Sequence, residues 1–408
     1  MVVAGGGPAG LMAAGQAAEA GAQVRLLEKM GRPARKLSLT GKGRCNMTNI
    51  APLPDFITHF GRQGNFLRQA FWNFFTPDLI QFFQGLGLEL VTERGGRVFP
   101  ASGKASEVGA VLTQWIKQHQ VELRASSPIE TLIIDHGALK GVISRGKQIS
   151  CDAVVLATGG ASYPGTGSTG DGYRLAESAG HHIVPVRPAL VPLTTAGDGA
   201  AKAAGLNLRN INVRLLVNGK RLHQAFGEMT FTEFGVSGPV ILTLSGEAVD
   251  AIRRGQQVSL SVDLKPALDH EKLDARLLRD MASRGKEPMS SFLRGLMPRR
   301  LIPVCLHMTG IPAERRVHTI TARERRRLRT WLKDFQLQVT GHRPLAEAIV
   351  TAGGVDTGEL NPRTMESRLI KGLFMAGELL DFHADTGGYN LQAAFSTGWL
   401  AGRCAAQG

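Results

Sequence analysis

Ala4-Gly5-Gly6-Gly7-Pro8-Ala9-Gly10 sets a Gly5-x-Gly7-x-x-Gly10 pattern between the apolar run Val2-Val3-Ala4 and an alanine-rich segment ending at Gly21. Each glycine answers a separate steric demand. Gly5 permits the tight turn, Gly7 lets a pyrophosphate approach the backbone, and Gly10 lets a helix pack closely on the strand. A helix opening at Pro8 and Ala9 turns its free N–H groups and positive dipole end toward an anion. Ala13, Ala14, Ala17 and Ala18 keep that helix thin enough to lie against a sheet. The next apolar run, Val24-Arg25-Leu26-Leu27, ends at Glu28, the distance at which an acidic residue meets a ribose hydroxyl. The stretch therefore reads as the dinucleotide-binding start of a Rossmann-like α/β domain. Its first strand, Met1 to Ala4, is short, which is read as a beginning a few residues inside the true N-terminus.

Outward from Glu28, two loops carry glycine and positive charge: Lys29-Met30-Gly31-Arg32-Pro33-Ala34-Arg35-Lys36 and Thr40-Gly41-Lys42-Gly43-Arg44-Cys45-Asn46-Met47-Thr48-Asn49. Such loops suit wrapping a phosphate or a polarised ring. Phe71, Trp72, Phe74, Phe75, Phe82 and Phe83 crowd at helical spacing and read as core. A hairpin is expected around Gly95-Gly96, then a helix from Ser106 to about His119, then short strands to Ser144. Ala153-Val154-Val155-Leu156-Ala157 is a continuous apolar run, as a strand covered on both faces requires. It ends in Thr158-Gly159-Gly160, which places those residues at the sheet edge where ligands of open α/β sheets bind. A second formal fingerprint, Gly165-x-Gly167-x-x-Gly170, does not directly follow a strand and reads as a loop entering a helix.

At 408 residues the chain is expected to hold more than one domain. Pro185, Pro188 and Pro192 mark a change of character, and residues 188–265 read as short β pieces of a small barrel, at Leu190–Thr194, Val213–Val217, Val240–Ser245 and Val258–Asp263. Residues 266–335 read as a helical insert with Leu273, Leu277 and Leu278 in one stripe. The α/β signature returns over 336–408, with Thr351-Ala352-Gly353-Gly354 and Ala376-Gly377-Glu378, so residues 1–187 and 336–408 form one discontinuous nucleotide domain.

The chain carries a formal charge of +14. Between Pro266 and Lys333 stand 16 Lys/Arg against 7 Asp/Glu, so +9 of that excess lies in one sixth of the sequence. Arg323-Glu324-Arg325-Arg326-Arg327-Leu328-Arg329 is its densest part, and it reads either as a polyanion-binding face or as a solvated helix. Four scattered cysteines, Cys45, Cys151, Cys305 and Cys404, show neither CxxC nor metal-ligand spacing, which argues for a reducing compartment and no metal site. With no leader-like start and no long apolar run, a cytoplasmic, non-membrane protein is expected.

Gly5–Gly10 with Glu28, Gly41–Asn49, Thr158–Gly172, Phe231–Ser245 and Thr351–Gly402 together resemble the BaiN/RdsA-like (YhiN-like) FAD-dependent oxidoreductases over essentially the whole chain. The chain departs from that pattern at Lys42 and Glu233. The resemblance implies a glutathione-reductase-type FAD domain with an inserted small β-barrel and a helical insert. It also implies that Gly377, Glu378 and Asp381 line the ribityl and pyrophosphate end, and that Gly387, Gly388, Tyr389 and Asn390 flank the isoalloxazine. A helix starting near Asn390 would aim its positive end where negative charge collects on reduction. Relatives are linked to reduction of carbon–carbon double bonds in small molecules or in a ribosomal RNA uridine. The basic insert favours RNA as partner, with hydride passing to C6, a proton to C5 and NADH or NADPH as electron donor; Cys45 reads either as the proton donor or as a small packed residue supporting its loop. A small-molecule oxidase or enone reductase is the alternative, and a redox-responsive RNA-binding flavoprotein without turnover is another.

Overall fold

Why the first fingerprint forms a turn is plain in the computed structural model, which describes residues 1–407. Val2–Ala4 is a wholly buried strand, and the helix Pro8–Glu19 follows it after three glycines, with Pro8 in its first turn and no side chain capping it. Five parallel strands make the sheet, in the order Leu373–Met375, Val154–Leu156, Val2–Ala4, Arg25–Leu27, Glu122–Arg124. The chain's first strand is central, and Leu373–Met375 joins at the edge by pairing with Val154–Leu156. Val154, Val155 and Leu156 are fully buried, in keeping with their unbroken apolar run.

Two compact units result, Met1–Pro188 with Leu345–Gly408, and Ala189–Pro344. Each has its own core. In the first, the helix Tyr389–Ala406 packs on Pro8–Glu19 backbone to backbone. A Cβ on Gly398 would stand 2.3 Å from the Ala9 carbonyl oxygen, and one on Gly402 2.3 Å from that of Ala13. The aromatic cluster is core except at Trp72, which is 79% exposed on the outer face of the helix Gly64–Asn73. One-turn spacing places Phe71 inward and rotates its neighbour about 100° outward.

In the second unit six antiparallel strands hydrogen-bond in a closed ring: Leu193–Thr195, Gly235–Ser237, Lys220–Thr232, Asn207–Val217, Val258–Asp263, Phe335–His342. Val240–Ser245 is not among them. It lies in the helix Pro239–Arg253, where Val240, Ile241, Leu244 and Ala248 bury at helical spacing behind a Pro at the first turn. Phe335–His342 alternates buried and exposed residues and closes the ring, so 336–344 belong to this unit and not to the nucleotide domain. The boundary expected at residue 266 is absent too, because the helices His270–Ser283, Ile302–Thr309 and Ala322–Lys333 share a core with the strands. The helical stripe is Leu273, Leu277 and Met281, while Leu278 is exposed.

Among the described residues no helix is long and apolar enough to cross a membrane, and no group of three or more His, Cys, Asp or Glu side chains is arranged to hold a metal ion.

Candidate active site

The glycine turn builds a cradle. Gly5 has φ +99°, and a Cβ there would meet the Ala157 carbonyl oxygen at 2.6 Å. A Cβ on Gly10 would stand 1.8 Å from the Gly5 oxygen, so that position is closed by the fold itself. Gly7 is the opposite case: its Cβ would meet nothing within 4 Å. The open side of Gly7 and the uncapped start of the first helix make a space with a positive end and no protein group in it. Glu28 braces the turn, its carboxylate accepting from the N–H of Gly6 and of Met30, each at 2.7 Å.

Thr158, Gly159 and Gly160 follow the strand Val154–Leu156 at the same edge. Thr158 Oγ1 is buried without a partner among the described residues, and so is Asn46 Oδ1 from the Gly41–Asn49 loop. Buried polar atoms are nearly always hydrogen-bonded, so each of the two is left to take a partner that the protein does not supply. Behind Gly160 a polar network closes. Lys36 Nζ lies 2.6 Å from Glu378 Oε2 and 2.6 Å from Ser162 Oγ, and Ser162 Oγ donates to Glu378 Oε1 at 2.9 Å. Thr351 N also donates to Glu378, and Thr351 Oγ1 accepts from the N–H groups of Ala161 and Ser162. Lys36 and Glu378, both expected at the cofactor site, thus pair with each other. Lys29 is likewise engaged, with Asp171 at 2.6 Å.

Three of the expected site residues are engaged by the protein itself. Cys45 is fully enclosed by protein atoms alone, with burial pushing its thiol up to about 12, so it neither faces a substrate nor gives up a proton readily. It is a packed residue supporting a loop in which Gly41, Lys42, Gly43 and Cys45 all have positive φ. Arg44 turns outward, paired with Glu93 and lying 4.4 Å over the Phe99 ring. Asn390 directs its amide to its own loop, accepting from Ala384 N and donating to the oxygens of Ala384 and Asp385.

The start of the C-terminal helix forms the far wall. Gly388 has φ +100° and a Cβ there would strike the Thr48 oxygen at 2.4 Å, so only glycine lets the chain pass. Asn49 Nδ2 donates to the Gly387 oxygen, and Gln63 Nε2 to Asp381. Gly377 N–H donates to Thr397 Oγ1, and a Cβ on Gly377 would press on that of Ala9. Ser162 and Thr351, which hold Glu378, were not among the expected site residues; Thr351 had a legible signal in the Thr-Ala-Gly-Gly run.

A sequence profile described as the HI0933-like protein Rossmann domain matches residues 1–404. The chain is 34% identical over 409 residues to the 3-dehydro-bile acid delta(4,6)-reductase of Clostridium scindens, covering 99% of this chain and 98% of that protein. It is 29% identical over 401 residues to the ribosomal RNA dihydrouridine synthase of Escherichia coli, covering 98% and 96%. Among solved structures, 3-ketosteroid delta1-dehydrogenase from Sterolibacterium denitrificans superposes with a TM-score of 0.53 at 13% identity, covering 100% of this chain and 99% of that one. A flavocytochrome c3 fumarate reductase gives 0.52 at 19%, covering 100% and 78%. These last two likenesses speak to the fold.

Proposed function

This chain belongs to the HI0933-like family of FAD-dependent oxidoreductases, and from that premise we propose that it reduces a carbon–carbon double bond conjugated to a carbonyl, with a ribosomal RNA uridine as substrate and NADH or NADPH as electron donor. Bound FAD supplies the hydride. The residues fit that group. The open side of Gly7 and the first turn of Pro8–Glu19 would take the pyrophosphate, the ribose would lie by Glu28, and Thr158 and Asn46 would gain the polar partner they lack. Gly387, Gly388 and the N-terminus of Tyr389–Ala406 would meet the ring end, where the helix dipole favours negative charge. We read the closed ring of strands in the second unit as a small β-barrel.

The observation carrying the choice of RNA is how the arginines divide on the helix Ala322–Lys333. Arg325 and Arg329 both turn to Asp274, at 3.2 and 3.4 Å, whereas Arg323 and Arg326 stand exposed with no partner among the described residues. Arg327 is exposed beside them, 3.9 Å from Glu324. Lys333 is buried against Asp263. Three exposed guanidinium groups on one helix side are what a phosphate backbone needs. The greater identity to a bile-acid reductase favours a second reading, a steroid-like enone, which shares the chemistry because uracil C5=C6 is itself conjugated to a carbonyl.

Dihydrouridine content of ribosomal RNA in a strain lacking the gene tests the choice. Its loss on deletion and return on complementation is the expected result. Unchanged dihydrouridine overturns the RNA substrate, and anaerobic reoxidation of the reduced enzyme by a 3-oxo-4,6-diene bile acid would then support the enone.

A further inference from the structure

We infer that His59, oriented by Asp385, is the catalytic proton donor of this reduction; the inference rests on the reading just given. With Cys45 sealed in the core, the site needs another acid. His59 follows the short helix Leu53–Thr58, and its imidazole is held on two sides. Nδ1 lies 3.0 Å from Asp385 Oδ2, and the ring stacks on Tyr389 with centroids 3.8 Å apart and planes 21° from parallel. Tyr389 is the first residue of the 18-residue C-terminal helix, at the positive end assigned above to the flavin ring.

The supports are themselves fixed. Asn390 ties down the Ala384–Asp385 backbone through three hydrogen bonds. Phe56 meets the Tyr389 ring edge-on at 4.7 Å, and Asn49 holds Gly387. A carboxylate on Nδ1 fixes the tautomer and leaves Nε2 as the exchangeable position. Nε2 has no partner among the described residues, and the side chain is 31% exposed, reachable by a ligand and by solvent. His181 shows the contrast: its side chain is wholly enclosed, with one nitrogen on Glu359 and the other on Ser367, a structural arrangement closed to any substrate. The Tyr389 phenol keeps its proton, because burial and then the Asp385 charge push it up.

The carbon remote from the substrate carbonyl receives a hydride, two electrons and one proton that originate in the nicotinamide donor. The carbon next to the carbonyl receives the Nε2 proton as the π bond breaks, and His59 recovers a proton from water. Asp385 acts as a positioning residue, holding Nδ1.

Two measurements test this on the FAD-loaded protein. In diethylpyrocarbonate labelling followed by peptide mapping, His59 should be acylated at least about tenfold faster than His181; equal protection of the two would overturn the proposal, since a sealed imidazole exchanges no protons. In anaerobic stopped flow, His59→Gln should keep full FAD and normal bleaching by dithionite, yet slow reoxidation by ribosomal RNA or a 3-oxo-4,6-diene bile acid by about 10²-fold or more. Asp385→Asn should give a smaller loss of the same kind. Reoxidation of His59→Gln within threefold of wild type overturns the assignment, and so does a loss explained by missing FAD. If neither probe reoxidises wild type, the reading of the function fails instead, and the labelling decides His59 by itself.

Discussion

Gly7 and Gly10 occupy one turn of sequence and answer to different things. At Gly10 the constraint is the protein: a methyl group would lie 1.8 Å from a backbone oxygen. At Gly7 no protein group sets it, since a Cβ there meets no protein atom within 4 Å and its φ of −81° suits any residue, and the proposed function assigns it to the pyrophosphate. Gly7→Ala should therefore leave the melting temperature of the flavin-free protein unchanged, within about 0.5 kcal/mol, while sharply weakening FAD binding. Gly10→Ala should destabilise the flavin-free protein by about 1–3 kcal/mol. Flavin titration and thermal melts of both variants check the contrast, and equal flavin affinity in Gly7→Ala and wild type would remove the pyrophosphate from this turn.

One helix separates charge that serves the fold from charge left over. On Ala322–Lys333, Thr321 and Glu324 form a capping box, Leu328, Trp331 and Leu332 bury, and Arg325 and Arg329 converge on Asp274 from the helix His270–Ser283. Arg326→Glu with Arg327→Glu should lower RNA affinity and flatten its salt dependence, because fewer counterions are released, and leave the melting temperature in place. Arg325→Glu with Arg329→Glu should do the reverse, destabilising the helix pair by placing like charges around Asp274. Filter binding at two salt concentrations and a thermal melt separate the two outcomes. Equal RNA binding in the first double variant would make that face a solvated one.

Two units with separate cores imply separable folding. Residues 189–344 enclose apolar side chains from all six strands and from the long helices. Replacing 189–344 by a flexible linker of about ten residues should leave a protein that still folds and binds FAD, because the five-stranded sheet, the glycine turn and the C-terminal helix all come from the ends of the chain. Absorbance of bound flavin after gel filtration reads the outcome. A colourless, aggregated product would mean that the cofactor site depends on the second unit.

Much of this was legible because it is local. The Gly5-x-Gly7-x-x-Gly10 turn, the apolar run at Val154–Leu156 and the return of α/β character near Val350 each declare themselves within a few residues, through steric demands that only glycine or a buried strand satisfies. Where a local pattern was ambiguous, tertiary structure overrode it. Val240–Ser245 is a β-like run that becomes helical because its buried positions fall at helical spacing against the strand ring, and Phe335–His342 leaves the nucleotide domain because it closes that ring. The site divided in the same way. The sequence alone determined where the backbone turns tightly and lies open, since that depends on absent side chains at fixed spacing. Only the fold decided which side chains are free to act: Lys36 meets Glu378 across 342 positions and is neutralised, Cys45 is sealed, and His59 meets Asp385 across 326. Pairings over such distances follow from how helices and loops pack on the sheet, and no spacing rule along the chain records them.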